Sequence, residues 1–252
     1  MRTSLNGLVM REETGQFTAQ GWLHGNGVFE TIRTVESSPY LLTRHLQRAI
    51  KSAGVTQTPM PSLEDVRIAV AELLKTESLH NGLLRIMFGV DGQWGAVHIP
   101  YQPLLHPAKV RVHPAHLSIL GESIKKYPYD HRLSILNEAI ESGFDEALVI
   151  NPSGHISECA VTNFVARVDG RWITPPTSDG VLPGIMRDLV IEKLGVSVAS
   201  LSESRLADVS EAVLLSSLRI AQPIESINER ELKPSQAFSD EIEAMTVLHS
   251  VE

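Results

Sequence analysis

The run from Asp145 to Arg187 constrains this chain more than any other stretch. Glu146 to Ile150 reads as a strand. Asn151-Pro152-Ser153-Gly154 is a tight turn, and a return strand carries Glu158. Asp169-Gly170 turns the chain again toward Thr174, and Leu182-Pro183-Gly184-Ile185-Met186-Arg187 opens a helix. The stretch thus offers an acidic side chain on a β-meander and, close by in sequence, a helix start whose backbone N–H groups suit a phosphate. Together these point to a phosphorylated, nitrogen-containing ring as ligand.

The remaining chain is read around that centre. Leu5 to Met10 is an edge strand. His24-Gly25-Asn26-Gly27 turns into a β-branched strand through Val35. Gly25-x-Gly27 is not a dinucleotide fingerprint, because Glu30 stands in place of the third glycine and a strand follows where a helix belongs. Leu42, Leu46, Ile50 and Ala53 mark an amphipathic helix over 40–53 closed by Gly54. Ser62 and Asp65 frame a second helix through Leu74, which ends near Asn81-Gly82. Strands follow over 83–90 and 96–101. Pro103 to Pro107 mark a boundary. Beyond a polar, irregular link over 121–130 lies a helix carrying Leu133, Leu136 and Ile140. Further expectations are a helix over 183–194 closed by Gly195, strands over 196–201 and 211–216, and a final helix from Ser239.

Composition narrows the function. A net charge of −8 argues against sequence-independent nucleic-acid binding. No apolar run approaches the ~18 residues of a membrane span. Met1 to Gly7 lacks the apolar core of a signal peptide, and the single cysteine, Cys159, fits a reducing cytoplasm and reads as a buried structural thiol. His113-x-x-His116 has no clear third ligand, so no metal site is expected. The Lys125-Lys126 pair, with Tyr129 following, offers an amine that desolvation or a neighbouring cation could make nucleophilic, although most lysines are simply solvated.

Five segments, in this order and spacing, resemble the class IV aminotransferase family (fold type IV pyridoxal-phosphate enzymes). They are Gly25-Asn26-Gly27-Val28-Phe29-Glu30-Thr31-Ile32-Arg33, His45-Leu46-Gln47-Arg48, Ile124-Lys125, Ser157-Glu158-Cys159-Ala160-Val161-Thr162-Asn163-Phe164 and Leu182-Pro183-Gly184-Ile185-Met186-Arg187. The resemblance implies an α+β, two-domain, D-amino-acid aminotransferase-like fold. A small N-terminal αβ domain would span 1–104, with a link and first strand over 105–120. A larger cofactor-binding αβ domain, with a mainly antiparallel, barrel-like meander, would span 121–252.

It also implies pyridoxal 5'-phosphate as cofactor, lying between the domains, and a homodimer. Lys125 matches the lysine that bonds covalently to the cofactor. Tyr129 matches a tyrosine on its phenolic oxygen, Glu158 the acid on its ring nitrogen, and Arg48 the phosphate arginine. Ile185, Met186 and Ser217 would complete the phosphate cradle. Thr31, Arg33 and Arg219 are candidate substrate contacts. For each of these three, a structural hydrogen bond or ion pair is the competing reading.

Asn26, Lys126-Tyr127-Pro128 and the loop after Phe88 depart from the family pattern, which bears on substrate. The stretches Val28 to Arg33 and Ser216-Ser217-Leu218-Arg219-x-x-x-Pro223 are similar to 4-amino-4-deoxychorismate lyases, although Ser216 replaces an asparagine. The implied reaction forms 4-aminobenzoate and pyruvate, a step in folate biosynthesis. The alternative is a class IV aminotransferase acting on a branched-chain or D-amino acid.

Overall fold

The computed structural model describes residues 1–10, 15–76, 78–117 and 124–250. The chain divides into two units. One is Met1–Pro103, Ile124–Pro128 and His249–Glu252; the other is Leu104–Ser123 and Tyr129–Leu248.

In the first unit, β1 (Arg2–Leu5) and β2 (Leu8–Met10) form a hairpin where one edge strand was expected. Then come β3 (Gly27–Val35), β4 (Ser38–Pro39), α1 (Leu42–Thr56), α2 (Leu63–Thr76), β5 (Asn81–Gly89) and β6 (Trp94–Pro100). Helix α1 runs through Gly54 instead of stopping there. Gln57 takes the left-handed terminal position (φ 55°) and donates its N–H to Ala53. At α2 the anticipated capping pair is present: the Asp65 N–H donates to Ser62 Oγ at 3.1 Å. That helix stops at Thr76, because Asn81 and Gly82 pair into β5 opposite Val35 and Thr34.

The chain then forms β7 (Ala108–Val112) of the second unit and returns to the first as β8 (Lys126–Tyr127), which pairs with Gly27 and Val28 of β3. The domain expectation placed 121–128 in the large domain. Here Ile124–Pro128 belongs to the first unit, because β3 offers the hydrogen-bonding edge that β8 completes. Residues 118–123, including the first part of the polar link, lie outside the described residues.

The second unit continues with α3 (Asp130–Glu141), β9 (Glu146–Ile150), β10 (Ile156–Cys159), β11 (Asn163–Val168), β12 (Arg171–Thr174), α4 (Ile185–Leu194), β13 (Ser197–Val198), β14 (Val209–Ser216), β15 (Ile220–Ile227), β16 (Arg230–Glu231) and α5 (Gln236–His249). Among the described residues the first unit holds a seven-stranded sheet ordered β2-β1-β6-β5-β3-β4, with β8 on β3. The second holds a nine-stranded sheet ordered β10-β9-β7-β15-β14-β11-β12-β13, with β16 on β15. Most pairs are antiparallel, but β7 runs parallel to both β9 and β15, and β12 runs parallel to β13. This is the mixed α+β architecture anticipated.

Val28 and Ile32 of β3 pack with Leu46 and Ala49 of α1 and with Val66, Val70 and Leu73 of α2. Val28 and Ile32 point to one side of β3, so Phe29, Thr31 and Arg33 point to the other. In the second unit, Phe164 and Ala166 of β11, Leu214 of β14 and Ile150 of β9 form the main core. Helix α3 buries Arg132, Ile135 and Ala139; Ile140, one of the apolar residues expected to mark this helix, is 55% exposed. Its inward stripe therefore includes a guanidinium.

Candidate active site

On the first unit, chemistry collects where β3, α1 and β8 meet. Glu30 is fully buried and accepts from Arg48 Nε (2.9 Å) and Arg48 Nη2 (2.6 Å), so two parallel bonds fix the plane of that guanidinium. His45 Nδ1 lies 2.6 Å from Glu30 Oε2. Burial would push the Glu30 carboxyl up, but Arg48 and His45 outweigh it and hold it down at about 2. His45 is itself lowered, first by burial, which overrides the pull of Glu30, with Arg48 and Lys125 adding to the effect. It is therefore a neutral imidazole donating Nδ1–H to the carboxylate. Sequence reading gave Glu30 and His45 no role. Their spacing signal was an acid on a strand next to a His-x-x-Arg helix face.

Lys125 joins the same neighbourhood. Its carbonyl accepts the Phe29 N–H at 3.0 Å, and its Nζ stands 4.5 Å from the centre of the Phe29 ring. The flanking Lys126, the first residue of β8, is exposed. Thr31 and Arg33 follow Phe29 on this side of β3, and Arg85, directly opposite Thr31 on β5, shares it. Arg33 donates from Nη2 to Asn81 at 3.2 Å, and its Nε is buried without a partner. Arg85 lies 3.8 Å over the Trp22 ring, and burial pulls its guanidinium down to about 10. Arg85 was not anticipated, because nothing local separates it from a solvated strand arginine.

On the second unit, Glu158 is buried near the end of β10. Its Oε1 accepts from Arg132 Nη2 at 2.5 Å, and its Oε2 accepts from Asn163 Nδ2 at 2.7 Å and the Leu182 N–H at 3.1 Å. Asn163 Nδ2 also donates to Leu182 O at 3.0 Å. One amide therefore ties the acid to the loop entering α4, where Ile185 and Met186 begin the helix. Gly184 precedes it, with no side-chain cap bond. A Cβ on Gly184 would lie 1.8 Å from Asn163 Oδ1, so that residue is glycine for space and not for its backbone angle. Gly184→Ala is expected to force Asn163 off Glu158 and to destabilise the protein by about 1–3 kcal/mol in urea unfolding; unchanged stability would show that Asn163 can give way.

Tyr129 immediately precedes α3, with the Arg132 guanidinium 5.7 Å from its ring centre. Ser217 lies in the β14–β15 turn, two residues past Leu215, which pairs with Asn163. Arg219 is engaged with Gln222 at 2.9 Å, the Asp145 carbonyl at 3.4 Å and Glu146 at 3.7 Å, all within its own unit. This is the pattern of a structural ion pair, the competing reading for that residue. Cys159 is fully buried and its thiol is pushed well up, chiefly by burial, so it is unreactive. His116 bonds to Glu203 at 2.9 Å and His113 to the Ala115 backbone, and no metal-binding cluster occurs among the described residues. No described helix is long and apolar enough to cross a membrane.

The chain is similar to known proteins over most of its length. The aminodeoxychorismate lyase of Bacillus subtilis is 28% identical over 75% of this chain and 72% of its own. The branched-chain-amino-acid aminotransferase of Escherichia coli is 26% identical over 81% of this chain and 77% of its own. In fold, the branched-chain aminotransferase of Thermoproteus uzoniensis superposes with a TM-score of 0.85 at 22% identity, covering 99% of this chain and 95% of that one. The profile described as "Amino-transferase class IV" matches residues 27–227, from the first residue of β3 to the last of β15. With both the carboxylate-anchored strand and the lysine-bearing strand inside that span, the chain belongs to the class IV aminotransferase family of pyridoxal-phosphate-dependent enzymes.

Proposed function

We propose that this enzyme is a 4-amino-4-deoxychorismate lyase, releasing 4-aminobenzoate and pyruvate. The residues present fit the cofactor. Glu158 uses three of its about four acceptor positions, leaving one for a ring N–H. Helix α4 starts without a side-chain cap, so the Ile185 and Met186 N–H groups suit an anion. In this reading Glu158 takes the ring nitrogen, Tyr129 the phenolic oxygen, and Arg48, Ile185, Met186 and Ser217 the phosphate. When bound, pyridoxal phosphate supplies an electron-accepting ring that eases loss of the proton α to the substrate amine. Lys125 Nζ would hold the cofactor and would be the base placed to accept that proton. Glu30 and neutral His45 hold Arg48 in one orientation, so no reorganisation is needed when the phosphate arrives.

The observation that carries the lyase reading is the face of β3 and β5 over which Lys125 stands. Thr31, Arg33 and Arg85 lie there with Phe29 and Trp22. Aminodeoxychorismate is an unsaturated ring with two carboxylates, and two guanidiniums beside aromatic rings suit it better than a branched aliphatic side chain. Arg219 is kept as a weaker candidate contact. The alternative, transamination of a branched-chain or D-amino acid, is favoured by the similarity to branched-chain aminotransferases. Pyruvate release from aminodeoxychorismate with no keto-acid acceptor present is the expected result, read by a lactate dehydrogenase couple. Turnover that requires both an amino acid and a keto acid, with ping-pong kinetics, would assign the aminotransferase instead. A cytoplasmic homodimer acting in folate biosynthesis accompanies the lyase proposal.

A further inference from the structure

Arg132 is buried on the inward stripe of α3, where an unpaired guanidinium would be strongly disfavoured. It donates from Nη1 to Ala160 O at 2.8 Å and from Nη2 to Glu158 Oε1 at 2.5 Å. The other two donors on Glu158, Asn163 Nδ2 and the Leu182 N–H, are neutral. Arg132 is thus the cation in contact with this carboxylate among the described residues. We propose that Arg132 is a positioning residue for Glu158. It keeps the carboxylate ionised and aimed, and through it keeps the cofactor's ring nitrogen protonated. This rests on the role given to Glu158 above.

The other groups around Glu158 do not replace it. Arg187 on α4 feels the charge of Glu158, but its guanidinium bonds to Pro175 O at 2.8 Å and Asp188 at 3.4 Å. Cys159, next on β10, is neutral. Glu146 on β9 is a second buried acid, pushed up chiefly by burial, with Arg219 opposing it from 3.7 Å. Glu146 is an acid and brings no positive charge to Glu158. Tyr129, beside the Arg132 guanidinium, offers no cation.

Without the guanidinium, a buried Glu158 takes up a proton at higher pH and loses its attraction for a protonated ring nitrogen. The sign follows: the ratio of variant to wild-type dissociation constants for pyridoxal phosphate rises as pH falls. Taking the ratio removes the pH dependence common to both proteins.

The test measures pyridoxal-phosphate affinity and the spectrum of the bound cofactor between pH 6 and 8.5 for R132Q, R132K, E158Q and R132Q/E158Q, with melting of the cofactor-free proteins in parallel. For R132Q the ratio is expected to be larger at pH 6 than at pH 8 by about twofold or more, since loss of the neighbouring cation disfavours the charged carboxylate. R132K, which keeps the charge, is expected to show a nearly flat ratio. In the E158Q background, R132Q should add less than about twofold. Equal losses in both backgrounds, or a pH-independent ratio for R132Q, would overturn the proposal and leave Arg132 as a structural ion pair. If R132Q does not fold, R132K and R132K/E158Q decide. Non-additive losses support the proposal and additive ones defeat it. Should E158Q itself leave affinity and spectrum unchanged at every pH, the role of Glu158 in the proposed function fails, and this inference with it.

Discussion

Lys125→Ala is expected to reduce kcat by about 10²–10⁴-fold or more, the range for losing a positioned general base, with the lost covalent link adding to it. The ~410–420 nm band of the loaded enzyme should disappear as well. The change should be chemical and not structural. Lys125 is half-buried, and what fixes its backbone is the bond from the Phe29 N–H to its carbonyl, which alanine keeps. Melting of the variant should therefore stay close to wild type. Lys126→Ala provides the contrast, since the side chain of that next residue is exposed. Borohydride reduction of the wild-type enzyme should place the trapped cofactor on the Lys125 peptide. A surviving band in K125A, or an adduct on Lys126, would remove the basis of the functional reading.

Glu30→Ala is expected to destabilise the protein by about 3–5 kcal/mol, because it strands the buried Arg48 guanidinium and the His45 N–H together. For a chain of this size that corresponds to roughly 6–20 °C in Tm. The acid limb should differ too. The folded-state carboxyl is held down at about 2, against 4.5 for the ordinary group. Its contribution is therefore complete above pH 4.5 and is lost as pH falls from 4.5 toward 2. The Tm gap between wild type and E30A should be widest above pH 4.5 and shrink below it. A gap of constant width down to pH 3 would mean that Glu30 is not the anchor described here.

Much of this was legible in the sequence. The β9–β10 turn, the Asp169-Gly170 turn and the cap of α2 at Ser62 are local features, set by residues within four positions of one another, and they form as read. Non-local features were not legible. The chain's return to the first unit at Lys125 depends on a two-residue strand finding an edge on β3, nearly a hundred residues earlier, and no periodicity announces it. Strand β15 carries Pro223, which reads as a breaker; parallel pairing with β7 starts only at Ile224, so the missing N–H falls outside that ladder. Arg132 was hidden by the choice of stripe on α3. Counting 133, 136 and 140 makes it a surface residue, whereas 132, 135 and 139 makes it an interior cation that must have an acid. Glu30 and His45 become informative only once α1 is known to lie on β3.

The shared amide of Asn163 has one more implication. Because it grips Glu158 and the approach to α4 at once, with Gly184 flush against its oxygen, the two contacts proposed for Glu158 and for the start of α4 are mechanically linked. A substitution that shifts one of them is expected to shift the other as well. The β3–β5 face that bears Thr31, Arg33 and Arg85, proposed above to meet the substrate, carries no such link to Asn163 among the bonds described.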